Sequence, residues 1–186
     1  MARMNLTNQF LIAMPSLADP NFHRTVTLMC AHSEEGAMGI VINRPLDIKL
    51  NAVLDHLNIE ATSPDTERVP VVQGGPVQRE RGFVIHHPPG SWDAVVRVGE
   101  EIGIATSRDI LSAMAEGRGP ERAVIALGYA GWGSGQLEHE VQQNAWLSGP
   151  ADARVIFDTP YEDRWSSAAR LLGVDPTLLS GEAGHA

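Results

Sequence analysis

The segment Gly128-Tyr-Ala-Gly-Trp-Gly-Ser-Gly-Gln-Leu-Glu-His-Glu140 restricts the fold of this chain more than any other. The apolar run from Arg122 to Leu127 predicts a strand leading into it, and the polar residues after Gly135 predict a helix leading out. Between them, Gly128, Gly131, Gly133 and Gly135 allow backbone angles that residues with a Cβ avoid. The chain therefore turns a tight corner around Trp132 before presenting Gln136, Glu138 and Glu140. Trp132 is an interface anchor if that corner leaves it exposed, and a lid on the core if it is buried.

A glycine corner at a helix start can hold phosphate, because free amides and the helix dipole point at the same anion. The spacing here argues against that use. Gly131-x-Gly133-x-Gly135 matches neither the dinucleotide fingerprint nor the Walker loop, and no lysine accompanies it. Glu138 and Glu140 put negative charge in the first helical turn, where it favours the helix itself. His139-Glu-Val-Gln-Gln143 falls one residue short of the zinc-protease helix, since the position of its second histidine holds Gln143. No cofactor and no metal site is expected. Glu138 and Glu140 also lie about 200° apart around a helix, which prevents them from converging as a carboxylate pair unaided.

Elsewhere short apolar runs alternate with turn signals. Gln9–Met14, Arg24–His32, Met38–Asn43, Val69–Gln73, Gly82–His86, Trp92–Val98, Ile102–Ala105 and Arg154–Phe157 predict strands. Helices are expected from Asp47 as N-cap through Leu50, Val53, Leu54 and Leu57, and from the capping box Thr106-Ser-Arg-Asp109 to Gly117. A last helix is expected from the capping box Thr159-Pro-Tyr-Glu162 through Trp165, Ala168, Ala169 and Leu172. Leu17–Phe22 and residues 59–68 read as loops. Single helices among mostly β elements, without regular βαβ alternation, predict an α+β fold with a largely antiparallel or mixed sheet. The 186 residues suffice for one domain, 1–186, with residues 1–5 and 173–186 loosely held.

The net charge of −9, with fourteen scattered Lys and Arg, provides no concentrated positive surface, so direct nucleic-acid binding is not expected. No apolar stretch is long enough to span a bilayer, and the N-terminus has no secretory signature. Cys30 is the single cysteine, which excludes an intramolecular disulfide and fits a reducing compartment; a cytoplasmic location follows as an expectation.

Strand alternation from Arg24 to His32 places Val26, Leu28, Cys30 and His32 on one face. Cys30 and His32 are thus the candidate catalytic pair for a thiol-dependent hydrolase or redox sensor, against a core role for a cysteine flanked by Val26 and Leu28. Asn43-Arg-Pro45 ends a strand, and Gly74-Gly-Pro76 turns the chain. Asn43 and Arg44 either satisfy loop carbonyls or receive an anionic ligand or a partner's carboxylate, with Gly74 and Gly75 letting a backbone approach closely. With Trp132, Gln136 and Glu138 these form the candidate surface for a protein or small-molecule partner, and a binding or regulatory module is the favoured function.

Several of these segments together resemble the AlgH/YqgE family of bacterial proteins. The resemblance is carried by Phe10-Leu-Ile-Ala-Met-Pro15, by Cys30-x-His32 with Gly36-Ala-Met-Gly39 and Asn43-Arg-Pro45, and by Gly74-Gly-Pro76. Gly128-Tyr-Ala-Gly-Trp-Gly-x-Gly-Gln-Leu-Glu138 and Asn144-Ala-Trp146 complete it, so that it runs from about Met4 to the end. It implies a barrel-like, largely antiparallel sheet flanked by helices, in a cytosolic protein. The family carries a transcriptional-regulator label but no established catalytic residues, so the resemblance assigns no reaction.

Overall fold

The computed structural model describes residues 5–15, 20 and 22–175. Most of the expected loop Leu17–Phe22 and the end of the expected C-terminal tail therefore lie outside the described residues.

The molecule is assembled on β9 (Arg122–Gly133). The first half of this strand pairs antiparallel with β6 (Val77–His87) and parallel with β5 (Pro70–Gln73), which put Phe83 and Val72 on either side of Ala126. Its second half pairs antiparallel with β3 (Gly36–Val41), with Ala37 opposite Trp132. Beyond β3 come β2 (Val26–Ser33), β1 (Gln9–Ala13) and β10 (Trp146–Pro150). Beyond β6 come β8 (Ile102–Ala105) and β7 (Val95–Val98), and β4 (Pro45–Lys49) adds to β5. Among the described residues the result is a ten-stranded mixed sheet, curled into a half-barrel, in which only the β5–β9 pair is parallel. The expected α+β class is the one observed.

Curling gives the sheet two unlike faces. The concave face gathers Phe10, Leu28, Ile40, Phe83, Ile85 and Val124 into the main core, closed by Ile156 of α4 (Ala153–Phe157) and Trp165 of α5 (Tyr161–Leu171). Trp165 is tied in place by an Nε1 hydrogen bond of 2.9 Å to the Ala13 carbonyl. The convex face is covered in two patches. Over β6 and β9, α1 (Leu50–His56) and α2 (Arg108–Ala115) lay Leu50, Leu54, Ile110 and Met114 on Val84 and Ile125. Over β1 and β2, α3 (Gln136–Gln142) and the segment at Phe22 cover Met29, Trp132 and Trp146.

Two half-steps in the strand pattern move side chains between these faces. In a regular strand, residues of equal parity share a face. Val124 and Ala126 nevertheless belong to the concave core while Ala130 and Trp132 belong to the convex cluster. The change occurs at Gly128, whose φ of 82° inserts a left-handed residue that few side chains tolerate. The second half-step is in β2, where Met29 pairs Gly39 and Ala31 pairs Met38, leaving Cys30 as the extra, bulged residue.

Some elements differ from the sequence pattern. β9 continues through Gly133 instead of ending at Leu127, so the turn shrinks to Ser134 and Gly135. β4 occupies the position expected for a helix start, and Lys49 rather than Asp47 is the N-cap of α1, without a side-chain cap bond. Arg154–Phe157, expected as a strand, is helical in α4, because Asp152 accepts from the Arg154 amide as N-cap and Val155 and Ile156 pack side by side into the core. The strand in this region is β10, which begins at Trp146. In the expected capping boxes, Ser107 rather than Thr106 is the N-cap of α2, and the Thr159 hydroxyl donates to the Arg154 carbonyl while Pro160 caps α5. No helix among the described residues is long and apolar enough to cross a membrane.

Candidate functional site

The residues singled out in the sequence converge only in part, and they converge on one another. On α3, Glu138 Oε1 lies 2.7 Å from His32 Nε2, while His32 Nδ1 accepts the Leu6 amide at 3.0 Å. A ring nitrogen that accepts carries no proton, so Nε2 is the N–H that donates to Glu138. Glu140 serves the two buried indoles. Its Oε1 accepts from Trp132 Nε1 at 3.1 Å and from Trp146 Nε1 at 3.0 Å, while Oε2 accepts from Gln136 Nε2 at 3.0 Å. Gln136 Oε1 in turn accepts the Gly133 amide at 2.9 Å. The rings of Phe22, Trp132 and Trp146 meet at centroid distances of 5.5 to 6.1 Å. Trp132 is 6% exposed, which makes it a lid on the core.

The structure separates Cys30 from His32. Past the bulge, His32 falls opposite Ala37 on the convex side, whereas Cys30 sits in the concave core with its Sγ donating to the Leu28 carbonyl at 3.5 Å. Burial pushes the Cys30 thiol up to about 12, which disfavours the thiolate near neutrality. The same-face expectation fails because it assumed an unbroken two-residue period.

Asn43 and Arg44 serve backbone. Asn43 Oδ1 accepts the Val26 amide at 2.9 Å and its Nδ2 donates to the Arg24 carbonyl at 3.0 Å; Arg44 Nη2 donates to the carbonyls of Pro20 at 2.8 Å and His23 at 3.3 Å. Gly74 and Gly75 permit close approach, but to β9 rather than to a ligand. The Gly74 amide donates to the Leu127 carbonyl at 2.8 Å, and a Cβ on either glycine would run into the backbone of Gly128 or Tyr129. These hydrogen bonds of Asn43 and Arg44 thus go to the backbone of Pro20, His23, Arg24 and Val26, and Gly74 and Gly75 pack on β9.

A concave site does exist elsewhere. A cleft of about 660 Å³ opens on the convex face between α1, α2 and the strands β6, β8 and β9. Its floor is Gly82, Val84, Ala105, Ile125 and Leu127; its walls are Ile48, Ala52, Val53 and Leu57 from the α1 side and Leu111 from α2. The cleft exists because α1 and α2 are too short to cover the sheet between them and because small residues stand where larger ones would fill it. At Gly82, an added Cβ would meet only the Leu127 side chain, at 3.8 Å. Polar groups gather at the rim, with Glu80, His56, Ser107 and Arg108 among them. The Ser107 hydroxyl donates to Asp109 and accepts the Ala94 amide at 3.0 Å. That hydroxyl, ahead of the Asp93 and Ile110 amides, holds the Asp109 carboxyl below the usual carboxylate range.

Sequence reading did not locate this cleft. Its one local signal is Gly82, a glycine inside a strand, which marks close approach of a ligand or backbone; the rest depends on how two helices settle on a sheet. A second, polar hollow of about 480 Å³ contains His87, Glu101 and Glu121, and its other charges pair internally as Arg122–Asp158 and Arg154–Asp152. Among the described residues no group of three His, Cys, Asp or Glu side chains is placed to hold a metal ion.

A curled mixed sheet in a half-barrel, an apolar cleft on its convex face and a packed strand-turn-helix corner define a single α+β domain of half-barrel type. The chain belongs to the AlgH-like family, which it matches over residues 10–177. It is 58% identical over 179 residues to a UPF0301 protein of Nitrosococcus oceani, covering 96% of each chain. It is 56% identical over 185 residues to a UPF0301 protein of Thioalkalivibrio sulfidiphilus, covering 100% of this chain and 99% of that one. The solution structure of the AlgH protein from Pseudomonas aeruginosa superposes with a TM-score of 0.81 at 49% identity, covering 100% of this chain and 98% of that one. A crystal structure from Corynebacterium diphtheriae shares the fold at 22% identity, with a TM-score of 0.71 and coverage of 91% and 89%.

Proposed function

We propose that this chain is a small-ligand-binding module whose ligand occupies the cleft between α1, α2 and the sheet. The observation that carries this reading is the cleft itself. Its volume of about 660 Å³ falls within the range of roughly 300–1,000 Å³ typical of small-molecule sites. Its floor is apolar and its few polar groups lie at the rim, the arrangement that buries a ligand's body and orients its head. A regulatory role would then act through occupancy of the cleft, because α1 and α2 both border it and an occupant would bridge them. The hydrolase alternative has little support, because Cys30 and His32 face opposite sides of the sheet.

Amide chemical-shift mapping of the full chain tests the proposal with a set of uncharged and charged phenylalkyl fragments. The expected result is saturable shifts at Ala52, Gly82, Ala105 and Leu111. Shifts confined to the Trp132 corner, or no saturable shift with any fragment, would overturn it.

A further inference from the structure

Among the described residues three strands of the sheet have a single partner: β10, β4 and β7. A strand with one free side is a template for another strand unless something blunts it. β10 closes on Pro150, and β4 starts at Pro45 and ends at Lys49, residue types that discourage pairing at an edge. β7 is Val95-Val-Arg-Val98, three β-branched residues with neither proline nor lysine. Its Val96 is 57% exposed, more than any other large apolar side chain among the described residues.

The hydrogen-bond phase fixes which groups of β7 point outward. In an antiparallel pair, opposed residues that exchange backbone bonds alternate with opposed residues that do not. One step beyond the pairing of Val95 with Ala105, the Thr106 amide donates to the Ala94 carbonyl at 3.0 Å. The bonded positions therefore continue to Val96 with Ile104 and Val98 with Ile102. Val95 and Arg97 stand opposite Ala105 and Gly103 at the non-bonded positions, so their N–H and C=O groups are directed away from β8. Among the described residues nothing bonds to these outward groups.

We propose that β7 pairs antiparallel with β7 of a second copy of this chain, so that the two sheets become continuous across a twofold axis at Val96. Outward groups must meet outward groups, which restricts the register. With Arg97 opposite Arg97, like charges stand face to face. With Val95 opposite Val95, the next bonded pair is Arg97 with Asp93, whose amide already donates to Asp109 Oδ2 at 2.9 Å. With Val95 opposite Arg97, every outward N–H and C=O of Val95 and Arg97 on both copies finds a partner. In that register Val96 meets its own copy on the axis, on the side of the sheet where Val98 and Ile104 join the main core. The reversed direction also brings the positive Arg97 to the end of the second strand that Asp93 precedes. An exposed apolar side chain and an open row of backbone groups are thus covered by one symmetric contact.

Sedimentation equilibrium of the full chain over a dilution series tests this. The contact is small, so the mass should rise with concentration from that of one chain toward that of two. Val96→Lys and Val96→Glu each set like charges opposite one another on the axis and should hold the chain as a single copy. Because Val96 is exposed, both variants should keep the Tm of the parent measured at low concentration. An equal mixture of the two should associate about tenfold more tightly than either alone, since lysine then faces glutamate. A parent that stays single at every concentration overturns the proposal. So does a Val96→Lys variant that associates like the parent, which puts the contact on another face, and so does a mixture that stays single, which removes Val96 from the axis.

Discussion

Glu140 illustrates how a polar side chain can be essential without being catalytic. One of its oxygens accepts from two indoles, and Trp146 is only 2% exposed, so removing the acceptor strands a buried donor. Glu140→Ala should cost about 1–3 kcal/mol, the range for orphaning buried polar groups, whereas Glu140→Gln retains an acceptor and should cost less. Urea unfolding followed by tryptophan fluorescence measures both. An alanine variant as stable as the parent would show that water replaces the carboxylate. Gly128 makes the same point for backbone. At a φ of 82°, with the Gly75 carbonyl where a Cβ would stand, Gly128→Ala should lose at least about 1–3 kcal/mol from strain alone. Cys30 provides a third case. With its thiol pushed up to about 12, a thiol probe should label the native chain only as fast as the chain opens, and denaturant should release full labelling. Rapid native labelling at neutral pH would contradict the buried placement.

At the scale of elements, α2 owes its start to a carboxylate rather than to a cap hydroxyl. Ser107 is the N-cap but makes no side-chain cap bond, and Asp109 instead gathers the Ser107 hydroxyl with the Asp93 and Ile110 amides. Because the folded Asp109 titrates below its unfolded value, its contribution is complete above the ordinary aspartate value of about 3.9 and disappears as pH falls through the lower folded value. The stability difference between the parent and Asp109→Asn should thus be constant near neutrality and narrow below about pH 4. A difference that grows on acidification would reverse the sign. The elements also show what local pattern can and cannot reveal. The β2–β3 hairpin, α1's apolar stripe and the core face of α5 were legible because several residues repeat at one period. β4 and α4, five residues each, were not, since too few side chains exist to establish a period and packing decides the outcome. The bulge at Cys30 left no mark in composition, yet it reversed the expected partnership of that thiol with His32.

At the scale of the whole molecule, the half-barrel closes its concave face with α4 and α5 but covers its convex face in two separate patches. The patch at Trp132 is sealed, because Phe22, Trp146 and Leu137 meet over it and Glu140 satisfies the indoles. The patch under α1 and α2 is unsealed, because Gly82 stays exposed at the mouth of the cleft between them. The corner most conspicuous in the sequence thus became packing, and the cleft arose where the sequence shows only small residues. A direct consequence is that stability and binding should oppose each other at Gly82. Its φ is ordinary, its Cβ position is open apart from Leu127, and a leucine there would project from the floor into the cleft. Gly82→Leu should hold or raise stability by about 1 kcal/mol, through apolar burial and a better strand former, and it should abolish ligand binding. Thermal unfolding with and without phenylbutanol separates the two effects. The parent should show a ligand-dependent rise in Tm by mass action, while the variant should show a Tm at least as high but indifferent to the probe. If the variant unfolds several degrees lower, the space above Gly82 is already filled; if it still responds to the probe, the ligand lies elsewhere.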